Sequence, residues 1–377
     1  MIMESSHADP VAVPGFADHH AHLLRTAAGV SFPAGTAAVR EFHQRVAAQG
    51  STPMDVLDPP LPQPQQLTAR LLAGLASAAA GGLVEITEMG LRSWSYLEAL
   101  ATAQDAGPLP VRVRVYLASG LAGEASMDEL DARRADCGPW LRLDGVKFYA
   151  DGWLGPRTCA MCQDFADTGD SGLLFTDAAR LARRIAPLAG RGWRIATHAI
   201  GDRAVLVVLD AYDLAFDGDL AAIRAAAPRI EHASVLSAEL IARMAASGVQ
   251  ACVQPSFAVT DAGLLHPALG QDRAARAYPY AEMAAAGVPM LAGSDYPIEV
   301  LAPLVGLARL TAGRSGRPGF GTAGSAPAQA RLPVAAAFAM MTDPAAGQTL
   351  LSADPRTAAQ IDQIEVAGTA PAPFWPD

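Results

Sequence analysis

Lysine is almost missing from this chain. Its 28 lysine and arginine residues include a single lysine, Lys147. A GC-rich genome, which favours arginine and alanine codons, explains the scarcity but not the survivor. Arginine replaces lysine as a surface cation, but not where an uncharged amine must react. Cysteine is scarce too. Cys137, Cys159, Cys162 and Cys252 do not form a disulfide framework in 377 residues. Cys159 and Cys162 have C-x-x-C spacing, but no second pair lies at zinc-ribbon distance, so the spacing reads as incidental. No apolar run is long enough to span a bilayer, which excludes a membrane protein of helical type. Met1 to Pro14 contain acidic residues and no basic, apolar leader, so the expected location is the cytoplasm. A basic stripe is lacking as well, and the net charge of −10 argues against nucleic acid as a partner.

What is present is apolar. Hydrophobic residues make up 51% of the chain and charged residues 18%, enough for a large buried core. The length suits one barrel of about 250 residues with extensions. Eight short β-rich runs alternate with alanine-rich stretches: Val11–Phe16, Leu83–Glu88, Val111–Leu117, Gly145–Tyr149, Arg194–His198, Pro228–His232, Gln250–Gln254 and Pro289–Ser294. Helices are expected between them, over Leu67–Ala80, Ser95–Ala106, Asp177–Ala189, Ala204–Ala215 and Ser237–Ala246. Strand–helix alternation predicts a parallel sheet covered by helices, and eight units predict a closed α/β (β/α)₈ barrel of the TIM type. Residues 27–66 follow the first strand and carry a helix pattern around Val39–Ala48 and a proline-rich stretch, Ser51–Pro64. They are the expected lid or pocket wall over the catalytic face. The Gly/Ala/Ser/Pro-rich stretch Ala312–Gln329 reads as a mobile loop.

Polar residues capable of binding metal sit where the apolar runs stop. His20-Ala21-His22 closes the first strand, and residues two apart on a strand face the same side. His198 ends Arg194–His198, His232 ends Arg229–His232, and Asp295 follows Met290–Ser294. In such a barrel these strand ends converge on one face. One histidine alone would be an ordinary core residue; six such groups at five strand ends, counting Lys147, predict a shared metal site. A buried lysine has a lowered pKa, and its amine can take up carbon dioxide as a carbamate whose two oxygens bridge two cations. The alternatives are an unmodified lysine beside one metal and a lysine reaching out to solvent.

The motifs that contain these residues resemble the amidohydrolase superfamily, in the family-3 branch that includes N-substituted formamide deformylase. The resemblance rests on Pro14-Gly15-Phe16-Ala17-Asp18-His19-His20-Ala21-His22-Leu23, on Gly145-Val146-Lys147-Phe148-Tyr149-Ala150-Asp151-Gly152-Trp153-Leu154-Gly155-Pro156-Arg157-Thr158, and on Thr197-His198-Ala199-Ile200-Gly201-Asp202-Arg203-Ala204. Arg229-Ile230-Glu231-His232 and Gly293-Ser294-Asp295 complete it. It covers about residues 11–345 and implies a metal-dependent hydrolase barrel over that span. It further implies that His20, His22 and Asp295 hold one metal and His198 and His232 a second, with carbamylated Lys147 between them. One or two divalent ions are expected, zinc first, although iron, manganese, cobalt and nickel suit the same ligands. Two departures stand out. The family's β-sandwich is expected to be reduced or absent, with residues 346–377 as its vestige, because few residues precede the first strand. The family's second strand commonly ends in His-Asp, where this chain has Thr87-Glu88, leaving Glu88 as a substrate contact.

The chemistry expected of such a site is metal-assisted hydrolysis. A metal lowers the pKa of water to about 7 and polarises a carbonyl. Asp295 would accept the water's proton and return it to the leaving nitrogen, and Lys147 would shape the metal site. Tyr149 shares strand parity with Lys147, and Trp153, Arg157, Phe257 and Tyr296 lie in loops after strands. They are candidate pocket residues, with plain packing as the alternative. The leading expectation is hydrolysis of a C–N bond in an amide, formamide or cyclic amide of a small molecule. Ester or lactone hydrolysis, a lyase or isomerase on the same site, and a non-catalytic metal-binding protein are the rivals. A homo-oligomer would be common for such barrels.

Overall fold

The computed structural model describes residues 9–30, 36–49, 60–312, 326–358 and 361–374. Strand β1 (Val11–Pro14) stands apart from the next eight: β2 (Phe16–Ala21), β3 (Leu83–Leu91), β4 (Arg112–Ala118), β5 (Leu141–Tyr149), β6 (Arg194–Ala199), β7 (Arg229–His232), β8 (Gln250–Val253) and β9 (Met290–Ala292). These eight pair in parallel and in sequence order. The sheet curls until its ends meet: the Asp295 N–H donates to the His20 carbonyl at 2.7 Å, and the His22 N–H to that of Tyr296 at 2.8 Å. The result is the expected (β/α)₈ barrel.

The strands are nearly continuous runs of buried residues, as both faces of a parallel sheet are covered. The helices form because their apolar residues recur every three or four positions. Pro64–Ala80 buries Leu67, Leu71, Leu75 and Ala78 along one stripe and starts with proline, which lacks the N–H a first turn cannot use. Ala178–Ala189 buries Leu181, Ala182, Ile185 and Leu188, and the Asp177 side chain caps its start by accepting the Arg180 N–H. Ala238–Ser247 is capped by Ser237 and stopped by Gly248 at φ +73°. Helix patterns in the sequence locate these elements to within a few residues.

One expectation about the strands is corrected. Val11–Phe16 is not the first barrel strand. Val11–Pro14 pairs antiparallel with β10 (Gly347–Leu351), which pairs with β11 (Val366–Pro371), so both chain ends share a three-stranded sheet. The barrel strand starts at Phe16, after a sharp change of partner at Gly15. A Cβ at Gly15 would come within 2.2 Å of Val84 Cγ2. The reduced sandwich is thus a compact sheet under the barrel, tied on by Thr349, whose hydroxyl donates to the Gly82 carbonyl and accepts the Phe16 N–H. Gly347 allows the tight join: it has φ +120°, and a Cβ there would lie 2.1 Å from the Ala370 carbonyl oxygen. Parts of Ser51–Pro64 and Ala312–Gln329 lie outside the described residues.

The N-terminal ends of the strands form a charged floor. Arg112 pairs with Glu85 and, at 2.5 Å, with Asp343; Arg114 pairs with Glu85 at 2.9 Å and with Asp144 at 2.5 Å. The Phe374 ring lies against the guanidiniums of Arg112 and Arg114, 4.6 and 4.9 Å from its centroid.

Candidate metal centre

At the opposite end, the chain brings His20, His22, Lys147, His198, His232 and Asp295 to the wall of one chamber. Strand parity places four of them. In β5, Gly145, Lys147 and Tyr149 share the inner face; in β6, Ala196 packs inside against Met89 and Tyr116, so His198 points inward as well. His20 is at the end of β2, and His22 sits one residue beyond it at the start of the helix Leu23–Ala27.

His232 breaks parity. Arg229 and Glu231 face inward in β7, so His232 would follow Ile230 outward. It adopts φ +76° instead, which turns the chain and brings the imidazole back over the chamber. Asp295 also sits at positive φ, +56°. Side-chain-bearing residues in this region are uncommon, and both occurrences at one site mark it as a place where backbone strain is tolerated for geometry.

The imidazoles are held by their outer nitrogens. His20 Nδ1 lies 2.6 Å from Glu231 Oε2. His232 Nδ1 lies 2.7 Å from Gln254 Oε1, and that amide's own nitrogen donates to the Cys252 carbonyl. His198 Nε2 lies 3.0 Å from the Gly152 carbonyl. A carbonyl or carboxylate oxygen only accepts, so the nitrogen facing it carries the proton. The lone pairs are therefore Nε2 on His20 and His232 and Nδ1 on His198. His20 Nε2 and His22 Nε2 both approach Asp295 Oδ1, at 3.4 and 3.2 Å. The rings of His198 and His232 are 4.5 Å apart, and those of His20 and His232 are 5.0 Å apart.

Burial sets the charges. It lowers His20 to about 4, aided by Lys147, and it holds His22 and His232 well below the ordinary imidazole range. Burial also lowers Lys147 to about 8, although Glu231 and Asp295 oppose the shift, and it raises Asp295. The Glu231 carboxyl is pushed up by burial, but Arg229, Lys147 and His20 outweigh this and leave it well below the usual range. Neutral imidazoles with converging lone pairs beside a carboxylate fit a divalent cation. Donor atoms of His20, His232 and Asp295 all lie within 4.8 Å of one another.

The weaker sequence candidates divide. Tyr149 and Trp153 line the chamber, and Trp153 and Phe257 line a pocket of about 190 Å³ that shares His198, His232 and Asp295 with it. Glu88 is fully buried, and one oxygen of its carboxylate accepts the Leu24 N–H at 2.8 Å, holding the helix after β2. Arg157 is turned to Asp167 at 2.7 Å and donates to the Leu154 and Gly155 carbonyls, so it stitches its own loop. Tyr296 contributes its carbonyl to the closure of the barrel. Within the expected lid, the helix Thr36–Gln49 packs Phe42 and Val46 against Tyr149 and Phe175, and His43 Nδ1 meets Thr158 Oγ1 at 2.7 Å.

Several supporting residues escaped the sequence reading. Glu231 and Gln254 orient imidazoles. Asp151 accepts the N–H groups of Ala160, Ile200 and Gly201 and fixes the loops after β5 and β6. Asp18 accepts those of His20 and Ser294, joining the two ends of the sheet. Only Glu231 had a visible signal, since its alternation with Arg229 puts two charges on the inner face of a short buried strand.

Comparison with known proteins places these features in a wider group. A family model described as "Amidohydrolase family" matches residues 34–353. YtcJ of Bacillus subtilis (strain 168), which carries a provisional amidohydrolase name, is 30% identical over 218 residues, 56% of this chain and 38% of its own. LONG AFTER FAR-RED 3 of Arabidopsis thaliana is 32% identical over 169 residues, 44% of this chain and 28% of its own. The chain thus spans less than half the length of these curated relatives. Among solved structures, an uncharacterized metal-dependent hydrolase from Pyrococcus horikoshii OT3 aligns with TM-score 0.69 at 18% identity, over 94% of this chain and 88% of that one. One from Pyrococcus furiosus aligns with TM-score 0.66 at 20% identity, over 96% and 85%. At those identities the likeness concerns the fold.

Proposed function

This chain belongs to the amidohydrolase family, and from that premise we propose that it hydrolyses a carbon–nitrogen bond in a small amide, formamide or cyclic amide. The reaction uses one or two divalent ions, zinc first, held by His20, His22, Lys147, His198, His232 and Asp295. The observation that carries this reading is the arrangement of the imidazoles: His20, His198 and His232 are each fixed by one ring nitrogen, burial keeps His20 and His232 neutral, and all three line one chamber with Asp295.

When bound, a divalent cation supplies Lewis acidity, which lowers the pKa of water and polarises a carbonyl. Asp295 accepts a proton from the attacking water and returns it to the nitrogen as the C–N bond breaks. Burial raises its carboxyl, which suits a group that must hold a proton briefly. Glu231 keeps the His20 ring turned through its bond to Nδ1. The Lys147 ammonium first loses a proton; the neutral amine then forms an N–C bond to carbon dioxide and loses a second, so that an anion replaces a cation beside the ligands. Its lowered pKa supports that step. Tyr149 and Trp153 wall the chamber from solvent.

The test is metal content per chain, by plasma mass spectrometry, of wild type and Lys147→Arg purified without chelator or histidine tag. It is paired with an amide and ester panel run in ¹⁸O water. Two ions in wild type, fewer in the variant, and ¹⁸O in a carboxyl product are expected. One ion in both proteins would remove the bridge. No ion after resupply with zinc, manganese and bicarbonate would overturn the hydrolase reading.

A further inference from the structure

The pocket beside the metal centre has a charge pattern that points to the kind of molecule it takes. Its volume is about 190 Å³, room for a small aryl or alkyl group. Its walls are largely apolar and aromatic, with Trp153, Phe257 and Tyr278 among them. Ile298, 44% exposed, stands at its rim as an apolar residue that folding alone does not bury. Besides Asp295, the carboxylates among its lining residues are Asp261 and Glu299, and Thr260 and Tyr278 bring hydroxyls. Asp261 accepts the Tyr278 hydroxyl, and Glu299 is braced from behind by the buried guanidinium of Arg309 at 3.2 Å. No lysine or arginine is among the described residues lining this pocket. Arg157, next to the lining residue Pro156, pairs with Asp167 at 2.7 Å.

We infer that the pocket selects substrates whose distal end is an apolar group carrying an ammonium, and that it rejects substrates whose distal end is a carboxylate. This rests on the hydrolase reading above and names its substrate class. An ammonium gains from both carboxylates and from the faces of the surrounding rings. A carboxylate meets two like charges, with Arg309 set behind one of them and no lysine or arginine among the described lining residues. The same walls would favour a small amide of an amino-substituted arylalkyl compound over an N-acyl amino acid.

The experiment uses the whole chain and three probes of one shape: 3-phenylpropylamine, 3-phenylpropanol and 3-phenylpropanoate. Binding is measured by calorimetry on protein as purified and after chelation, so that a carboxylate held by metal is told apart from one held by the pocket. The amine should bind the chelated protein at least ~10-fold more tightly than the acid, with the alcohol between them. Glu299→Gln and Asp261→Asn should each shrink the amine-to-acid ratio, with folding checked by thermal melting. Equal binding of amine and acid to chelated protein, or ratios unchanged in both variants, would overturn the inference. In parallel, amides bearing each distal group are offered to the metal-loaded enzyme. Selective amine binding with no amide hydrolysed would refute the hydrolase reading while leaving the pocket's preference intact. Hydrolysis that favours the acid-bearing amide would refute the preference and leave the hydrolase reading intact.

Discussion

At the mouth of the barrel, His20, His22 and His232 are buried as neutral bases, and the Nε2 lone pairs of His20 and His232 face a chamber beside Asp295. At the floor, Arg112, buried, and Arg114, half-buried, are cations that grip Glu85, Asp144 and Asp343, with Phe374 lying against both guanidiniums. Both ends remove ionisable groups from water. The floor satisfies them within the protein, so its geometry is complete. The mouth leaves lone pairs aimed at space, which gains nothing for the fold and is useful only to something that binds there. The same barrel therefore separates stability at one end from chemistry at the other.

The largest effect that would break this comparison is at the mouth. Asp295→Asn should lower kcat/KM for a hydrolysed amide by ~10³-fold or more, the range of a lost general acid–base. The urea midpoint of the metal-free protein should hold or rise, because a buried carboxylate is replaced by a neutral amide. Parallel losses of activity and stability would mean that the mouth, like the floor, is structural.

The converse change is at the floor. Arg112→Met leaves Glu85 and Asp343 without their common partner and should cost about 3–5 kcal/mol in urea unfolding. Kinetics of the folded variant should be unaltered. A fall in kcat/KM at temperatures where the variant is folded would show that the two ends are coupled through the strands.

How legible this division was in the sequence depends on the residue. The strand–helix alternation is strongly periodic, so the barrel could be read directly. Lys147, His198 and His232 could be placed at strand ends because the apolar runs before them stop abruptly. The change of sheet at Gly15 could not: Val11–Phe16 is an unbroken apolar run, and only long-range pairing with Leu351 divides it. Glu88 shows a related limit, since a carboxylate at a strand end looks the same whether it meets substrate or the Leu24 N–H. The floor was not read at all. Its arginines lie among many in the chain, and their partners come from residues as distant as Asp343.

Acid should separate the ends without mutation. In the unfolded chain the histidines titrate near 6.5, whereas burial holds His20 at about 4 and keeps His22 and His232 well below the ordinary range. Between these values the unfolded chain binds protons that the folded one does not. Stability of the metal-free protein should therefore fall as pH drops from about 6.5 towards 4, by ~1.4 kcal/mol for each unit of depression. Lys147, lowered to about 8, adds a second limb in which stability rises between about pH 8 and 10.5. Urea midpoints across pH measure both limbs. A flat profile below pH 6.5 would mean that the imidazoles are not buried neutral.

A smaller loss is expected where the mouth's support begins. Glu231→Gln keeps the shape of the side chain and removes the charge that faces His20 Nδ1. Metal affinity or kcat/KM should drop by ~10–100-fold, the usual cost of losing such a partner. Competition with a chelator reads the affinity separately from turnover. No change in either would mean that Arg229 alone accounts for Glu231, which would then belong with the floor's ion pairs rather than with the site.

The smallest effect is at the far end. Phe374→Leu retains an apolar side chain under Arg112 and Arg114 but removes the ring face that they approach. Cation–π contacts of partly buried arginine contribute about 0.5–2 kcal/mol, so a urea midpoint shift at the low end of that range is expected, with activity unchanged. The ion pairs above it remain, which is why the loss should be far below that of Arg112→Met. A loss as large would show that the ring organises the arginines instead of merely covering them. The floor would then be one cooperative unit, and the segment beyond β11 would be as necessary to the barrel as any of its strands.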